Sequence, residues 1–356
     1  MRSSKALVSQ ALKTIAGNLA RTGDPLGLKT IYWTRWADGL HLPRRGDVLL
    51  YTARMYQMLP FVVRATEMAA AAKPLVPALK VRALARMAEL AGALAADPVL
   101  RLQAGAEHEI RRRGESALKG IVAALTAAGI RPAYLYEQEP YSGVLLHDLG
   151  LEDDVAPLAR SVYRTLKATG AKIIVTTDPH TTFMLREIYP RFIPGFDLDV
   201  RHYLQVLAGA APPTHGTSVA ALPRRVVFHD SCVMARDLDI LTQPRVVLGN
   251  LNIDTVEPEN RGKNTACCGG PVEYAFAELS RSISGIRARE LSALAADIVV
   301  TCPICLINLM KHEQALGVRV RDMGELLGAV TGAGSGKASP GNGRHSQNRS
   351  PQGGEK

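Results

Sequence analysis

The sequence predicts an α/β protein made of two pseudo-repeated halves, each with a parallel-type sheet flanked by helices, and with a helical insertion in the first half. In the second half, short β-branched strand patterns alternate with helical patterns, which is typical of a parallel sheet. Three segments of the first half also match three segments of the second half in the same order, which indicates an internal repeat. At 356 residues, the chain is long enough for two domains or for one doubled domain.

The repeat is visible in three pairs of segments. "GDVLLYTARMYQ" parallels "RRVVFHDSCVMA", "EQEPYSGVLLHDLG" parallels "TACCGGPVEYAFAE", and "AKIIVTTDPHTTFML" parallels "ADIVVTCPICLINLM". The positions of the first half that correspond to cysteines of the second half are approximately Arg54 or Met55, Tyr141, Ser142, Thr177 and His180. The first half therefore lacks the thiolates that a metal site of its own would need. His180 is interpreted as a structural residue that caps a helix in "TTDPHTTF", and a role lining the crevice between the halves is left open.

The composition along the chain predicts four regions. Residues 1–30 read as an N-terminal amphipathic helix, and residues 31–210 as a degenerate repeat with an Ala-rich helical insertion at about 59–129. Residues 211–330 form the cysteine-rich half. Residues 331–356 are rich in Gly, Ser and Pro and lack apolar periodicity, so this tail is expected to be disordered.

The composition excludes several classes of protein. A hydrophobic content of 47% with 21% charged residues is typical of a soluble globular protein. The sequence contains no long uncharged apolar stretch, so no membrane span is predicted. The basic start has no continuous apolar region, which argues against a secretory signal and for a cytoplasmic protein that associates with a membrane only through a partner. The net charge is +10, but there is no nucleic-acid-binding motif and only 5% aromatic residues, so no nucleic-acid partner is predicted.

All cysteines lie in the second half of the chain. They are Cys232, Cys267, Cys268, Cys302 and Cys305. An odd number, with a C-x-x-C pair and no signal peptide, argues against a disulfide framework. A thioredoxin-like redox pair would use only Cys302 and Cys305 and would leave the other three unexplained. Metal ligation uses all five.

The predicted strands place these cysteines at one edge of the sheet. Cys232 ends the strand pattern of "RRVVFHDSC", and Cys302 follows the strand of "ADIVVTCPIC". The adjacent pair Cys267–Cys268 follows a strand and loop, "LNIDTVEPEN", and precedes a helix predicted over about 272–296. Because the carboxyl ends of parallel strands meet at one edge, the three cysteine groups are expected to converge there.

Two glycines explain how two adjacent cysteines can face one site. Neighbouring side chains of an extended strand point to opposite faces, so both sulfurs reach one pocket only if the chain bends. Gly269 and Gly270 permit such a bend, and their N–H groups can face a bound cofactor. Thiolates suit both zinc and iron–sulfur clusters. Zinc takes four ligands and would leave one cysteine spare, so an iron–sulfur cluster is favoured and zinc remains the alternative.

The spacing of the cysteines resembles that of a known family. Cys232 and Cys267 are separated by 34 residues, Cys268 and Cys302 by 33, and a C-x-x-C pair follows. This pattern is similar to the cysteine-rich CCG domain of heterodisulfide reductase and related Fe–S oxidoreductase subunits. The resemblance covers residues 224–326 and implies one 4Fe–4S cluster with five cysteine ligands, which is noncubane in heterodisulfide reductase. The family usually carries two such repeats, and the first half of this chain departs from that pattern.

The resemblance also implies a function. It indicates a subunit of a redox complex that transfers electrons to a partner or to a disulfide or thiol-type sulfur substrate. The sequence contains no ferredoxin-type cysteine run, so a separate ferredoxin-type Fe–S or flavin subunit is implied as a partner. His229, Asp230, Lys263 and Asn264 are expected close to the cluster. His229 is a candidate proton donor, although a structural role for this histidine is favoured. A zinc- or cluster-binding assembly or structural factor without redox turnover is the alternative.

Overall fold

The computed structural model of the chain describes residues 15–19, 21–28, 30–72, 108–210, 222–273 and 276–332. Residues 15–19 are helical, and the rest of the predicted N-terminal helix lies largely outside the described residues. The middle of the predicted insertion and nearly all of the predicted tail lie outside them as well. The domain limits at residues 30, 210 and 330 therefore stay predictions.

The first half contains a four-stranded sheet in which all strands are parallel. Its strands are β1 (Val48–Tyr51), β2 (Ala133–Tyr134), β3 (Ile173–Thr176) and β4 (Asp199–His202), in the spatial order β2-β1-β3-β4. The central strands β1 and β3 each bury their last three residues. Near-continuous apolar burial is expected where helices cover both faces of a parallel sheet.

The second half repeats this sheet. Its strands are β5 (Arg225–Phe228), β6 (Asp254–Val256), β7 (Asp297–Val300) and β8 (Arg319–Asp322), in the order β6-β5-β7-β8 and again all parallel. Both sheets thus place their first strand beside their third and put the second and fourth strands at the edges. The predicted fold class, with two pseudo-repeated halves and parallel sheets flanked by helices, is confirmed.

Helices connect the strands of both sheets. In chain order they are α1 (Ile31–Thr34), α2 (Met55–Ala72), α3 (His108–Ala127), α4 (Val144–Asp148), α5 (Glu152–Lys167), α6 (Pro179–Phe183), α7 (Tyr189–Phe192), α8 (Tyr203–Ala208), α9 (Gln243–Asn250), α10 (Ala277–Ser292), α11 (Pro303–Met310), α12 (Glu313–Leu316) and α13 (Met323–Thr331). A π-helical turn at Met184–Ile188 joins α6 to α7, and another at Val233–Asp237 follows β5. Single 3₁₀ turns lie at Arg35–Ala37, Tyr136–Gln138, Gly262–Asn264 and Gly270–Val272. None of the helices in the described ranges combines the length and the apolar character that a membrane crossing requires.

Two helix starts show how closely the halves match. α6 and α11 both begin with a proline, Pro179 and Pro303, and their N-caps are Asp178 and Cys302. Because a proline at the first position fixes the start of a helix, Asp178 occupies the place of Cys302. The approximate alignment of Thr177 and His180 with Cys302 and Cys305 was therefore wrong by one residue. The expectation that His180 caps α6 was also wrong, since Asp178 accepts the N–H of Thr181 at 2.9 Å.

The two halves pack tightly against each other. α3, within the predicted insertion, crosses α13 so closely that a side-chain carbon at Gly120 would collide with the carbonyl group of Gly324. Glycines at a helix crossing allow the two backbones to approach. The hydroxyl of Tyr56 in α2 donates to Asp322 at 2.8 Å and adds a buried polar link between the halves. The described part of the insertion thus belongs to the core that joins the two sheets.

Candidate metal centre

The carboxyl edge of the second sheet collects all five cysteines. Cys232 follows the end of β5 by four residues, Cys302 follows β7 by two, and Cys305 lies in the first turn of α11. The loop after β6 carries Cys267 and Cys268. Because β6, β5 and β7 are parallel neighbours, their carboxyl ends deliver these residues to the same edge. We refer to the five residues as the cysteine cluster.

The thiols of the cysteine cluster form one continuous series of contacts. Cys267 shares hydrogen bonds with Cys232 and Cys268. Cys268 is in turn linked to Cys305, and Cys305 to Cys302. The structure therefore brings together side chains from three separate segments of the second half. Sequence reasoning located each of these residues and the edge at which they meet.

The cysteine cluster is buried on one side and accessible on the other. Cys268, Cys302 and Cys305 are at most 3% exposed, whereas Cys232 and Cys267 are half-buried. Buried thiols beside parallel strands are shielded from solvent and oxidants. The half-buried pair marks the side of the cysteine cluster that solvent reaches.

The two glycines act as the sequence predicted. Gly269 has a φ of 83°, in the left-handed region, and its N–H group donates to the sulfur of Cys267 at 3.3 Å. The carbonyl group of Ser280 in α10 lies so close to Gly269 that a side chain has no room. A side-chain carbon at Gly270 would collide with Ile304 and would lie 3.5 Å from the sulfur of Cys268. Because a 3₁₀ turn occupies Gly270–Val272, the following helix α10 begins at Ala277 and not near residue 272 as predicted.

Contacts within the cysteine cluster shift the pKa values of its thiols in opposite directions. Hydrogen bonds from Cys232 and Cys268 hold the pKa of Cys267 well below its usual range, and those two donors have raised pKa values. Burial by itself would raise the pKa of Cys302, but hydrogen bonding with Cys305 and the charge of His180 outweigh it and lower this pKa. The pKa of Cys305 is raised. Cys267 and Cys302 are therefore the two sulfurs whose ionisation the surrounding hydrogen bonds favour.

This donor set fits a soft, positively charged metal centre. Five thiolates in contact would repel one another strongly, and this repulsion favours protonated thiols unless a cation balances the charge. A bound metal centre would displace those protons, since thiolate is the form that ligates metals. Sulfur donors select zinc, copper(I) or iron–sulfur centres over hard cations such as magnesium. The residues present therefore fit the cluster that the sequence predicted.

Two buried side chains lie behind the cysteine cluster. A ring nitrogen of His229 lies within 4.8 Å of the sulfurs of Cys268 and Cys305. Its Nδ1 accepts a hydrogen bond of 3.1 Å from Nε of Arg287 in α10. Burial, followed by the charge of Arg287, lowers the pKa of His229 to about 3. The proposed proton-donor role of His229 stays a prediction. Sequence reasoning did not single out Arg287. Its position next to Ala288, on the face of α10 that is buried, could have indicated a buried charged residue.

Of the other predicted neighbours of the site, Asp230 is buried, whereas Lys263 and Asn264 are exposed. Asp230 is fully buried, forms two hydrogen bonds of 2.7 and 2.8 Å with Arg245, and accepts the N–H of Gly262. It therefore anchors the loop that carries the cysteine pair. Lys263 is exposed and pairs with Asp239 at the surface, and Asn264 is exposed as well. These last two side chains face solvent.

A residue of the first half also reaches the site. His180 in α6 hydrogen-bonds the thiol of Cys302. Burial opposes a charge on this ring, but the Cys302 thiolate and the carboxylates of Asp148 and Asp178 outweigh it and raise the pKa of His180 to about 9. Sequence reasoning left open a place for His180 in the crevice between the halves. Its contact with Cys302 could not be found from the sequence, because the two residues lie in different repeats.

Comparisons with known proteins agree with this geometry. The family model described as "CCG: Cysteine-rich domain" matches residues 226–310. A probable iron–sulfur-binding oxidoreductase of Bacillus subtilis is 31% identical over 223 residues, which are 59% of this chain and 31% of the relative. A probable membrane-anchored ferredoxin of Chromohalobacter salexigens is 29% identical over 232 residues, which are 61% of this chain and 34% of the relative.

A further relative is one of the subunits of the dihydromethanophenazine:CoB–CoM heterodisulfide reductase of Methanosarcina mazei. It is 27% identical over 219 residues, which are 58% of this chain and 53% of the relative. The chain thus spans about a third to a half of the length of these three relatives. The matched residues contain all five cysteines, so the resemblance seen in their spacing is confirmed. Residues 226–310 accordingly match the cysteine-rich CCG domain, in a chain similar to heterodisulfide reductase and iron–sulfur oxidoreductase subunits.

Proposed function

We propose that Cys232, Cys267, Cys268, Cys302 and Cys305 hold one 4Fe–4S cluster, and that the chain is the iron–sulfur subunit of a heterodisulfide-reductase-like redox complex. The observation that carries this proposal is the continuous series of contacts among the five thiols. Five donors exceed the four that zinc or a cubane cluster takes from protein. A five-ligand cluster of the noncubane type uses all of them.

The bound cluster would supply one-electron transfer. The chain's own residues would set where electrons enter and leave. Cys232 and Cys267 lie on the accessible side, whereas the other three sulfurs are shielded by the sheet and by α11. Gly269 donates its N–H to the Cys267 sulfur, and hydrogen bonds to cluster sulfurs favour the more negative, reduced form. The accessible side is therefore the proposed contact point for a partner or substrate.

The proposed electron donor is a separate ferredoxin-type Fe–S or flavin subunit. The proposed acceptor is a further partner or a disulfide-type sulfur substrate, which takes two electrons and two protons to give two thiols. Two observations support this proposal: one relative is named as part of a heterodisulfide reductase, and another as an EtfAB:quinone oxidoreductase. We further propose that the complex works in the cytoplasm and that a partner provides any membrane association, since one relative is named membrane-anchored.

Purification under anaerobic conditions tests this proposal. We expect about four irons and four sulfides per chain, visible absorption, and an electron paramagnetic resonance signal that appears in one redox state. Addition of a thiol substrate should change that signal if sulfur chemistry occurs at the cluster. A colourless, zinc-loaded and redox-silent protein would instead support the alternative, an assembly or structural factor without redox turnover.

A further inference from the structure

A buried histidine–arginine pair lies directly behind the cysteine cluster. His229 and Arg287 are each only 1% exposed, and Nε of Arg287 donates to Nδ1 of His229 at 3.1 Å. The two remaining guanidinium nitrogens of Arg287 bond to Glu290 at 2.7 Å and to the Thr265 hydroxyl at 3.4 Å. With all three nitrogens engaged, the guanidinium group is fixed in position.

This contact fixes the tautomer of His229. A guanidinium group can only donate hydrogen bonds, so Nδ1 of His229 must be the acceptor and cannot carry a proton. A doubly protonated ring would have no acceptor for Arg287. The ring is therefore neutral, and its single proton lies on Nε2. His229 can therefore donate a hydrogen bond only through Nε2.

The Nε2 atom of His229 has no hydrogen-bond partner within the described part of the protein. It is fully buried there, and a buried N–H group without a partner is unfavourable. Nδ1 is already occupied by Arg287, which leaves Nε2 as the nitrogen available to the nearby sulfurs of Cys268 and Cys305. An acceptor at the metal centre would satisfy this orphaned donor.

We propose that His229 donates a hydrogen bond through Nε2 to a sulfur of the cluster centre, and that Arg287 is the positioning residue that fixes this tautomer. The inference rests on the proposed function above. A hydrogen bond to sulfur stabilises the reduced, more negative state, so the pair raises the reduction potential of the cluster. His229 would not ligate iron, because Nδ1 is occupied by Arg287 and Nε2 carries the proton.

Variants of His229 separate this role from a merely structural one. His229→Gln keeps both hydrogen bonds, since its amide oxygen can accept from Arg287 and its NH₂ group can donate to the cluster sulfur. His229→Leu keeps neither. We expect both variants to retain iron and sulfide, and the Gln variant to keep a midpoint potential close to that of the wild type. In the Leu variant the ratio of reduced to oxidised cluster should fall about tenfold at the wild-type midpoint, which is about 59 mV for a one-electron couple.

Two further variants complete the potentiometric experiment. Arg287→Met frees Nδ1 and lets the ring change its tautomer, so it should lower the potential in the same direction as His229→Leu. His312→Gln is the matched control, because His312 hydrogen-bonds Ser284 in the same half and should leave the potential unchanged. A Leu variant with full iron content and an unchanged potential would overturn the inference.

A measurement on the wild type guards against variants that do not fold. In protein labelled with ¹⁵N-histidine, pulsed electron paramagnetic resonance should detect two weakly coupled nitrogens and exchangeable protons near the cluster, one set from His229 and one from His180, which bonds Cys302. The labelled His180→Ala variant should keep the nitrogen and proton of His229. A strong coupling typical of an Fe–N bond, or loss of iron in both His229 variants, would identify His229 as a ligand and would also overturn the inference. Absence of iron and sulfide from the wild type would instead refute the proposed function, and this inference with it.

Discussion

The imidazole of His180, in the first half, hydrogen-bonds the thiol of Cys302 in the second half. The half that has lost its cysteines thus still contributes to the remaining site. α6, which carries His180, packs against the turn that follows Cys232, so the contact is part of the interface between the halves. The cysteine cluster is therefore enclosed by both repeats, although only one of them provides thiols.

The substitution His180→Ala should leave the cluster assembled. His180 contacts one cysteine only, and α6 is capped by Asp178 rather than by this ring. Iron and sulfide content of the anaerobically purified variant should equal those of the wild type. Cys302→Ser is the comparison that should lose iron. Loss of iron in the alanine variant would show that His180 takes part in ligation.

The substitutions Cys267→Ser and Cys268→Ser should each abolish the native cluster. Cys267 and Cys268 are the second and third of the five linked sulfurs, so replacing either one interrupts the series. A serine hydroxyl is a hard donor with a much higher pKa and is a poor substitute for a thiolate. Iron content and the paramagnetic signal measure the effect. Ser292→Ala, at the half-buried last residue of α10, should change neither. An intact cluster in either serine variant would contradict the five-ligand assignment.

The substitution Gly269→Ala should both destabilise the protein and remove iron. The backbone of Ser280 lies against Gly269 and cannot move aside without shifting α10, so the cysteine pair would be displaced. Gly143 is the matched control, because it has the same φ of 83° in the first half and a side-chain carbon there would meet the flexible side chains of Leu158 and Met184 rather than backbone. Gly143→Ala should lower the free energy of unfolding by about 1–2 kcal/mol and keep the iron. Equal iron loss in both variants would disprove the role assigned to the close approach at Gly269.

The substitution His202→Asn should make the protein less sensitive to acid. His202 caps α8, with Nδ1 accepting the N–H of Leu204 at 3.4 Å, and burial lowers its pKa to about 3. An unfolded histidine titrates near pH 6.5, so the unfolded state binds more protons between pH 6.5 and 3, and stability falls as the pH falls. Asparagine is a good N-cap without a charge change in this range.

Chemical denaturation of the wild type and of the His202→Asn variant at pH 7 and pH 5 measures this effect. Between these pH values the wild type should lose about 1–2 kcal/mol more free energy of unfolding than the variant. Other buried groups, such as Glu139 with a pKa raised to about 7, are common to both proteins and cancel in the comparison. Equal losses would show that His202 is not held neutral in the folded state.

Much of the fold could be predicted from local patterns. The strands β5 and β7 read directly as β-branched runs followed by turns, and the pairs of matched segments predicted that the first half repeats the second. The start of α10 was predicted too early, because the turn at Gly270–Val272 is set by the packing of Gly269 against Ser280 and not by helix propensity. The alignment of His180 with a cysteine failed for a similar reason, since Pro179 sets the start of α6.

The sequence by itself determined the α/β class, the repeat, the five cysteines and the sheet edge at which they meet. These features follow from periodicity, from spacing along the chain and from the rule that parallel strands end at a common edge. Only the tertiary structure decided which thiols touch, that Arg287 orients His229, and that His180 reaches Cys302 from the other half. Such contacts join residues that are distant in sequence, and they depend on how helices pack against two separate sheets.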